Sequence, residues 1–331
     1  MKSAARSGEQ ELIQRFFAPL AAGFEGAAGL EDDAALYRAD EGMDVVMTTD
    51  TVVESVHFLP HDPPDLIARK ALRVSVSDLA AKGGRPRFYL LSLALDGERD
   101  ETWLERFAQG LRADQAEYGC HLAGGDTVAT PGPLTVTITA FAEIPHGRIV
   151  RRGGAVDGDL VYVTGTIGDA GLGLAILTNQ YRGAIGSDSR SFLVGRYRLP
   201  CPRVALAPTV LAHANAAIDI SDGLVGDMAL LCRASGLGAS IRIADIPLSP
   251  PARESISHDP KWRENCLTCG DDYEIACTVS PDDAQDFEDD AARAGVAVSR
   301  IGHITAREDG AVFRHDSGSA LVVDTPSYSH I

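Results

Sequence analysis

The chain has 331 residues, 45% hydrophobic and 23% charged, a composition that excludes a disordered or fibrous protein and leads us to expect two domains of ordinary size. Its formal net charge of −17 excludes a surface built to neutralise nucleic-acid phosphates, and no run of Lys and Arg supplies one locally. Met1 to Gln14 lacks an apolar leader core, and no later stretch has the roughly 20 apolar residues of a spanning helix. The expectation is a cytoplasmic protein with no nucleic acid and no membrane among its partners.

Gln10 to Ala18 has the spacing of a short amphipathic helix, and the Gly/Ala-rich Ala21 to Gly29 is too weak for a regular element. Val45 to Met47 is a β-prone run ending in Thr48, Thr49 and Asp50, which sets polar groups where a strand is expected to finish. Asp65 precedes a long apolar helix that closes at Gly83 and Gly84. On that helix Ile67, Ala71, Val74, Asp78 and Ala81 share one face, so Asp78 lies along an apolar stripe and requires a partner. Phe88 to Leu95 predicts a strand, Glu101 to Tyr118 a helix, His121 to Ala123 a short strand and Leu134 to Ala142 another. His146 to Gly158 breaks the periodicity and Leu160 to Thr164 restarts it, so the domains are expected to be 1–147 and 148–331.

In the second domain Ala216 to Ile220 predicts a strand that runs into Ser221, Asp222 and Gly223, then a helix through Leu231 with Ser221 as its N-cap. A strand near Ala239 to Ile243, a loop holding Pro247, Pro250 and Pro251, a helix near Asp282 to Ala294 and a strand near Val296 to Ile301 follow. The fold class is α/β, of the α+β kind. Six scattered cysteines do not make a disulfide framework. Cys266 and Cys269 form a C-x-x-C, but neither a second ligand pair for zinc nor a redox-type setting accompanies it.

Asp recurs beside Gly, Thr or Ser in Glu31-Asp32-Asp33, Thr48-Thr49-Asp50-Thr51, Ser77-Asp78, Gly124-Gly125-Asp126-Thr127, Asp219-Ile220-Ser221-Asp222-Gly223 and Gly270-Asp271-Asp272-Tyr273. Any one cluster is ordinary turn and cap chemistry. Together they are suited to holding Mg²⁺, a hard cation bound by a few carboxylates plus substrate phosphates. Phosphoryl transfer asks a protein mainly to position groups and cancel charge, and no Walker A lysine cradle is present. Gly165-x-x-Gly168-x-x-Gly171 either opens a helix toward an anion or serves close packing.

At these clusters the sequence resembles the thiamine-monophosphate kinases, in the superfamily of aminoimidazole ribonucleotide synthetase and selenophosphate synthetase. The resemblance runs from about Phe16 to the C-terminus through DDAAL at 32–36, TTDTVVESVHF at 48–58, SDLAAKG at 77–83, GGDT at 124–127, DISDGL at 219–224 and GDDYE at 270–274. It implies a two-domain aminoimidazole ribonucleotide synthetase-like fold. The N-terminal domain would bind ATP and Mg²⁺ and dimerise through its sheet, and the C-terminal domain would complete the cleft. It also implies a homodimer that makes thiamine diphosphate from thiamine monophosphate with ATP and several Mg²⁺ ions.

By the same resemblance Asp33, Thr48, Thr49, Asp50, Asp78, Asp126, Asp219 and Asp222 are metal ligands. Gly125, Asp126, Arg151 and Ser221 contact ATP, and His57, Asp271 and Tyr328 contact the thiamine phosphate. A hydrogen-bonded loop residue and a packing residue are the plain readings of His57 and Tyr328. The family usually has Gly at the position of Glu31 and Gly-Gly-Glu-Asp-Tyr where this chain has Cys269-Gly270-Asp271-Asp272-Tyr273, so Asp271 is one methylene shorter. No general base is expected, because a phosphate monoester with a second pKa near 6 is already largely ionised at neutral pH. Two rivals fit the same sequence: another ATP-using member of the superfamily, and a metal- or nucleotide-binding protein without turnover.

Overall fold

The structure, a computed structural model, describes residues 8–306, 310–323 and 327. Two units form, Met1–Leu79 with Arg85–Gly147, and Ala80–Gly84 with Arg148–Ile331. No helix among the described residues is long and apolar enough to cross a membrane.

The first unit begins with α1 (Glu9–Leu12) and α2 (Ala18–Ala21), separated by a π-helical turn at Ile13–Phe17. The expected single helix is thus longer and interrupted; Pro19, in the first turn of α2, has no N–H to continue the ladder. Its four-stranded sheet comprises β1 (Met43–Val53), β2 (Arg85–Leu95), β3 (His121–Ala129) and β4 (Thr135–Pro145) in the order β1-β4-β2-β3. β3 runs parallel to β2 and the other pairs are antiparallel. One face of the sheet is covered by α3 (Pro64–Ala81) and α4 (Glu101–Tyr118), whose Leu72, Leu79, Leu104 and Phe107 are fully buried with Tyr89, Val136 and Ile138 of the strands. Asp100 caps α4 by accepting from Trp103 N at 2.8 Å, and left-handed Gly119 ends it, as its sequence limits predict.

Two strands run further than expected. Thr48, Thr49 and Asp50 lie inside β1, because it pairs with β4 through Val53. Gly124 to Thr127 lie inside β3, paired with Leu90 to Leu93 of β2. Thr49 is exposed and costs little there, while Thr48 and Asp50, on the other face, are satisfied by hydrogen bonds to α3.

The second unit holds a six-stranded sheet of β5 (Leu160–Thr164), β6 (Ala214–Asp219), β7 (Gly238–Arg242), β8 (Ile275–Val279), β9 (Val298–Thr305) and β10 (Ala311–Arg314), in the order β10-β7-β9-β5-β8-β6. β5 and β8 are buried along their whole length, as central strands covered on both faces must be. The helices are α5 (Asp169–Leu177), α6 (Ser187–Arg198), α7 (Ala207–His213), α8 (Leu224–Ser235), α9 (Pro250–His258), α10 (Trp262–Thr268) and α11 (Ala284–Arg293). Val161, Val163, Met228 and Leu231 fill one side of the sheet, and Tyr162, Cys277 and Phe287 the other. Ser221 does not cap α8: the cap is Gly223 at φ 117°, with no side-chain bond. Pro250 starts α9 behind the N-cap Ser249 instead of sitting in a loop.

In the first unit α3 is fixed to α4 by charge. Arg69 and Arg73 donate to Asp114 at 2.7 Å each, and Arg73 and Asp114 are 3% and 0% exposed. Asp114→Ala therefore leaves buried guanidinium charge poorly compensated and is expected to lower stability by about 3 kcal/mol. Urea denaturation measures it; a loss under about 0.5 kcal/mol, the range of an ordinary surface change, would contradict the assignment.

Candidate active site

Side chains alternate along β1, so Thr48 and Asp50 face the helix layer while Thr49 and Thr51 face the other way. On the helix side Thr48 Oγ1 donates to Asp78 Oδ2, and Ser75 Oγ, one turn earlier on α3, donates to Asp50 Oδ2 at 2.9 Å. Burial, together with the charge of Asp78, pushes the Asp50 carboxyl up to about 6, against the Ser75 hydrogen bond. The partner that Asp78 requires on its apolar face is therefore Thr48. Thr49 bonds instead to Thr139 at 3.0 Å, and Thr51 to Thr137 at 2.8 Å, on the open face. The structure thus brings Thr48, Asp50 and Asp78 together and leaves the Thr49 side chain apart.

Asp126 is registered with Ser92 of β2, which pairs with Thr137, so it belongs to the open face as well. There it lines a cavity of about 640 Å³ with Asp32, Asp33, Gly125 and Thr127, against a wall that includes Phe24, Phe88 and Phe141. Phe88 stacks on Phe141 at 4.5 Å and on Phe24 at 4.9 Å between ring centroids. Tyr37 packs on Phe88 and donates to Glu143, which also accepts from Asp40 N at 3.0 Å, so the acidic 31–40 segment is moored to the sheet. Gly125 has a local reason to be glycine: at φ 153° its missing Cβ would stand 1.8 Å from Leu91 O. Within either unit, among the described residues, no three His, Cys, Asp or Glu side chains are placed to hold a metal ion.

In the second unit Asp219 ends β6 and is buried. The loop after it is joined to the 269–274 loop by Asp271 N to Ser221 O at 2.9 Å, Tyr273 N to Ile220 O at 2.8 Å and Ile220 N to Glu274 O at 2.8 Å. Asp271 and Tyr273 both take positive φ, 73° and 51°, a conformation that Asp tolerates better than most residues. Asp227 was not singled out by sequence, yet its Oδ2 accepts from Asp222 N at 3.1 Å. Burial first, and the charge of Asp222 with it, push the Asp227 carboxyl up to about 7, although backbone bonds and Arg152 oppose this. The signal was available: Asp227 stands among Leu224, Val225, Met228 and Leu231, the same pattern that marked Asp78. Arg151 is exposed, and its carbonyl accepts from Ala217 N at 3.0 Å, which lays the segment along β6.

The glycine repeat does not open α5 to an outside anion. Gly168 N and Ala170 N at its start donate to Asp272 at 2.6 and 3.3 Å. Gly168 and Gly171 are packed against Cys266 and Cys269, whose atoms a Cβ would meet at 2.2 and 2.1 Å. Burial raises both thiols above the usual range, which fits packing and not redox chemistry. Glu274, buried, accepts from Arg196 at 2.8 Å, from Arg203 Nε at 2.6 Å and from Thr164 at 2.6 Å, and so fixes the end of the same loop. His57 sits in a turn directly after β1, and Tyr328 lies outside the described residues.

The sequence matches AIR synthase related protein, N-terminal domain, over residues 31–144 and its C-terminal domain over 156–315. A thiamine-monophosphate kinase of Caulobacter vibrioides is 41% identical over 92% of this chain and 86% of its own. The chain belongs to the thiamine-monophosphate kinase family. The crystal structure of the Stenotrophomonas maltophilia thiamine-monophosphate kinase is similar with a TM-score of 0.80 at 33% identity, covering 88% of this chain and 91% of that one. The structure of AaThiL complexed with AMPPCP and TMP is similar with a TM-score of 0.77 at 28% identity over 100% of both chains. The fold is the two-domain one of this family.

In this thiamine-monophosphate kinase family member Asp272→Ala leaves the buried N–H groups of Gly168 and Ala170 without their acceptor, and stability is expected to fall by about 2 kcal/mol. Thermal or urea unfolding reads it; an unchanged midpoint would mean that the α5 amides are satisfied by something other than Asp272.

Proposed function

We propose that the chain transfers the γ-phosphoryl group of ATP to the phosphate of thiamine monophosphate, giving thiamine diphosphate, the last step in making that cofactor. The observation that carries the reading is likeness along the whole chain to AaThiL, a protein complexed with AMPPCP, a non-hydrolysable ATP analogue, and TMP. The attacking atom is an oxygen of an ionised phosphate, so in-line transfer needs no protein base, and the work left is orientation and charge compensation.

The residues fit Mg²⁺. Burial, and the charge of Asp78 with it, raise Asp50, and a divalent cation beside the two carboxylates would offset both costs. Thr48, Asp50 and Asp78 would hold one ion, Asp33 and Asp126 at the cavity another, and Asp219 and Asp222 would bind metal in the second unit. Bound Mg²⁺ supplies electrostatic shielding between the phosphates. Thr49 would take part through its main chain, given the direction of its side chain. The cavity of about 640 Å³ has the size of a nucleotide pocket and an aromatic wall for a base beside Gly125 and Asp126. Arg151 and Ser221 would contact ATP, and His57, Asp271 and Tyr328 thiamine monophosphate.

We place the protein in the cytoplasm, in keeping with six cysteines that are all free thiols. A homodimer formed through the open face would cover Val45, Met47 and Val128, which are 36%, 65% and 49% exposed.

The test is conversion of ATP and thiamine monophosphate to ADP and thiamine diphosphate in equal amounts, with free thiamine as control acceptor. Chelation of divalent cations should abolish turnover and added Mg²⁺ restore it. Asp50→Asn and Asp219→Asn should each lower kcat/KM by at least about 100-fold with circular dichroism unchanged. Wild-type rates in both variants would contradict the metal assignments, and ATP binding without product would favour a non-catalytic protein.

A further inference from the structure

The turn that carries His57 is held tightly from within. Val53 O accepts from Val56 N and His57 N at 3.1 and 2.9 Å, Ser55 N donates to Phe58 O at 2.8 Å, and Ser55 sits at φ 66°. A residue with a Cβ stays in that region only when its surroundings force it. Inside the turn Val53 N–H donates to His57 Nδ1 at 3.0 Å. A ring nitrogen that accepts a hydrogen bond carries no proton, so the ring proton is on Nε2.

The same turn is also anchored from outside, at its first residue. Glu54 Oε1 accepts from Arg99 Nη2 at 2.5 Å, and Glu54 Oε2 accepts from Leu134 N at 3.3 Å. Glu54 N donates in turn to Leu134 O at 3.0 Å. Arg99 Nη1 donates to Asp96 Oδ2 at 2.6 Å, and the Arg99 and Glu54 side chains are each only 11% exposed. A guanidinium forked between two carboxylates in a half-dry setting fixes both in angle as well as distance.

We propose that Asp96, Arg99 and Glu54 are positioning residues that hold the 54–58 turn so that His57 presents Nε2–H, making it a hydrogen-bond donor to the phosphate-bearing substrate and not a base. The substrate part of this rests on the reading of the chain as a thiamine-monophosphate kinase with His57 at its substrate. A phosphate offers only acceptors, and a ring fixed with its donor on one nitrogen meets it without first changing tautomer.

The experiment combines nitrogen NMR of the histidine-labelled protein with kinetics. The wild-type spectrum should hold a ring with unprotonated Nδ1 and protonated Nε2 that disappears in His57→Gln, which assigns it. In Arg99→Met that ring should show mixed tautomers, and KM for thiamine monophosphate should rise about tenfold while KM for ATP stays within about twofold. Arg99→Lys keeps the charge without the fork, should shift both readouts the same way by less, and serves if Arg99→Met is too unstable. His57→Gln, whose amide N–H reaches the Nε2 position, should retain more activity than His57→Asn. A ring protonated on Nδ1, or a tautomer and KM unchanged in both Arg99 variants, would overturn the proposal. If the wild type does not phosphorylate thiamine monophosphate, the functional reading fails separately, and the tautomer signal in the Arg99 variants decides the positioning claim alone.

Discussion

A β-strand can offer only alternate side chains to one side, and the acidic chemistry of the first unit is organised by that constraint. Thr48 and Asp50, two residues apart on β1, reach the α3 residues Asp78 and Ser75; Thr49 between them cannot. The buried clamp of Arg69 and Arg73 on Asp114 keeps α3 at the register that makes this pairing work. Burial first, and the charge of Asp78 with it, push Asp50 upward, and a carboxylate so placed suits a site that gains from a cation.

The second unit reaches a comparable result with loops. Ser221 and Ile220 are bonded through the backbone to the 271–274 segment, and alternate residues of that segment are turned to different uses. Asp272 and Glu274 are buried; the Asp272 oxygens accept from the amides at the start of α5, and Glu274 meets Arg196 and Arg203. Asp271 and Tyr273, which alternate with them, take positive φ and are only half-buried. Deep anchoring of every second side chain offsets the backbone strain of the others.

Much of the element pattern was legible because it is local. The helix Glu101–Tyr118 carries its N-cap and its terminal glycine in the sequence, and Leu160–Thr164 carries a full apolar run. The ends of β1 and β3 were not legible, because they continue only as far as their neighbours β4 and β2 pair with them, and partners distant in sequence leave no local mark. The polar residues Thr48 to Asp50 and Gly124 to Thr127 read as strand ends for that reason. Asp78 was found as an acid on an apolar stripe, and the same test applied to α8 would have found Asp227. That glycines 168 and 171 admit cysteines, and that Asp272 occupies the α5 amides, depends on approaches about 100 residues apart in the chain that no spacing encodes.

The division of β1 between its two faces is the claim on which the site depends, and a comparison of Mg²⁺ affinity by calorimetry in Thr48→Val and Thr49→Val tests it most directly. The account predicts that Thr48→Val, which removes the hydroxyl bound to Asp78, weakens binding, while Thr49→Val, which removes only the bond to Thr139 and does not line the cavity of Asp33 and Asp126, leaves it near the wild-type value. Equal weakening in both, or weakening in Thr49→Val alone, would contradict it.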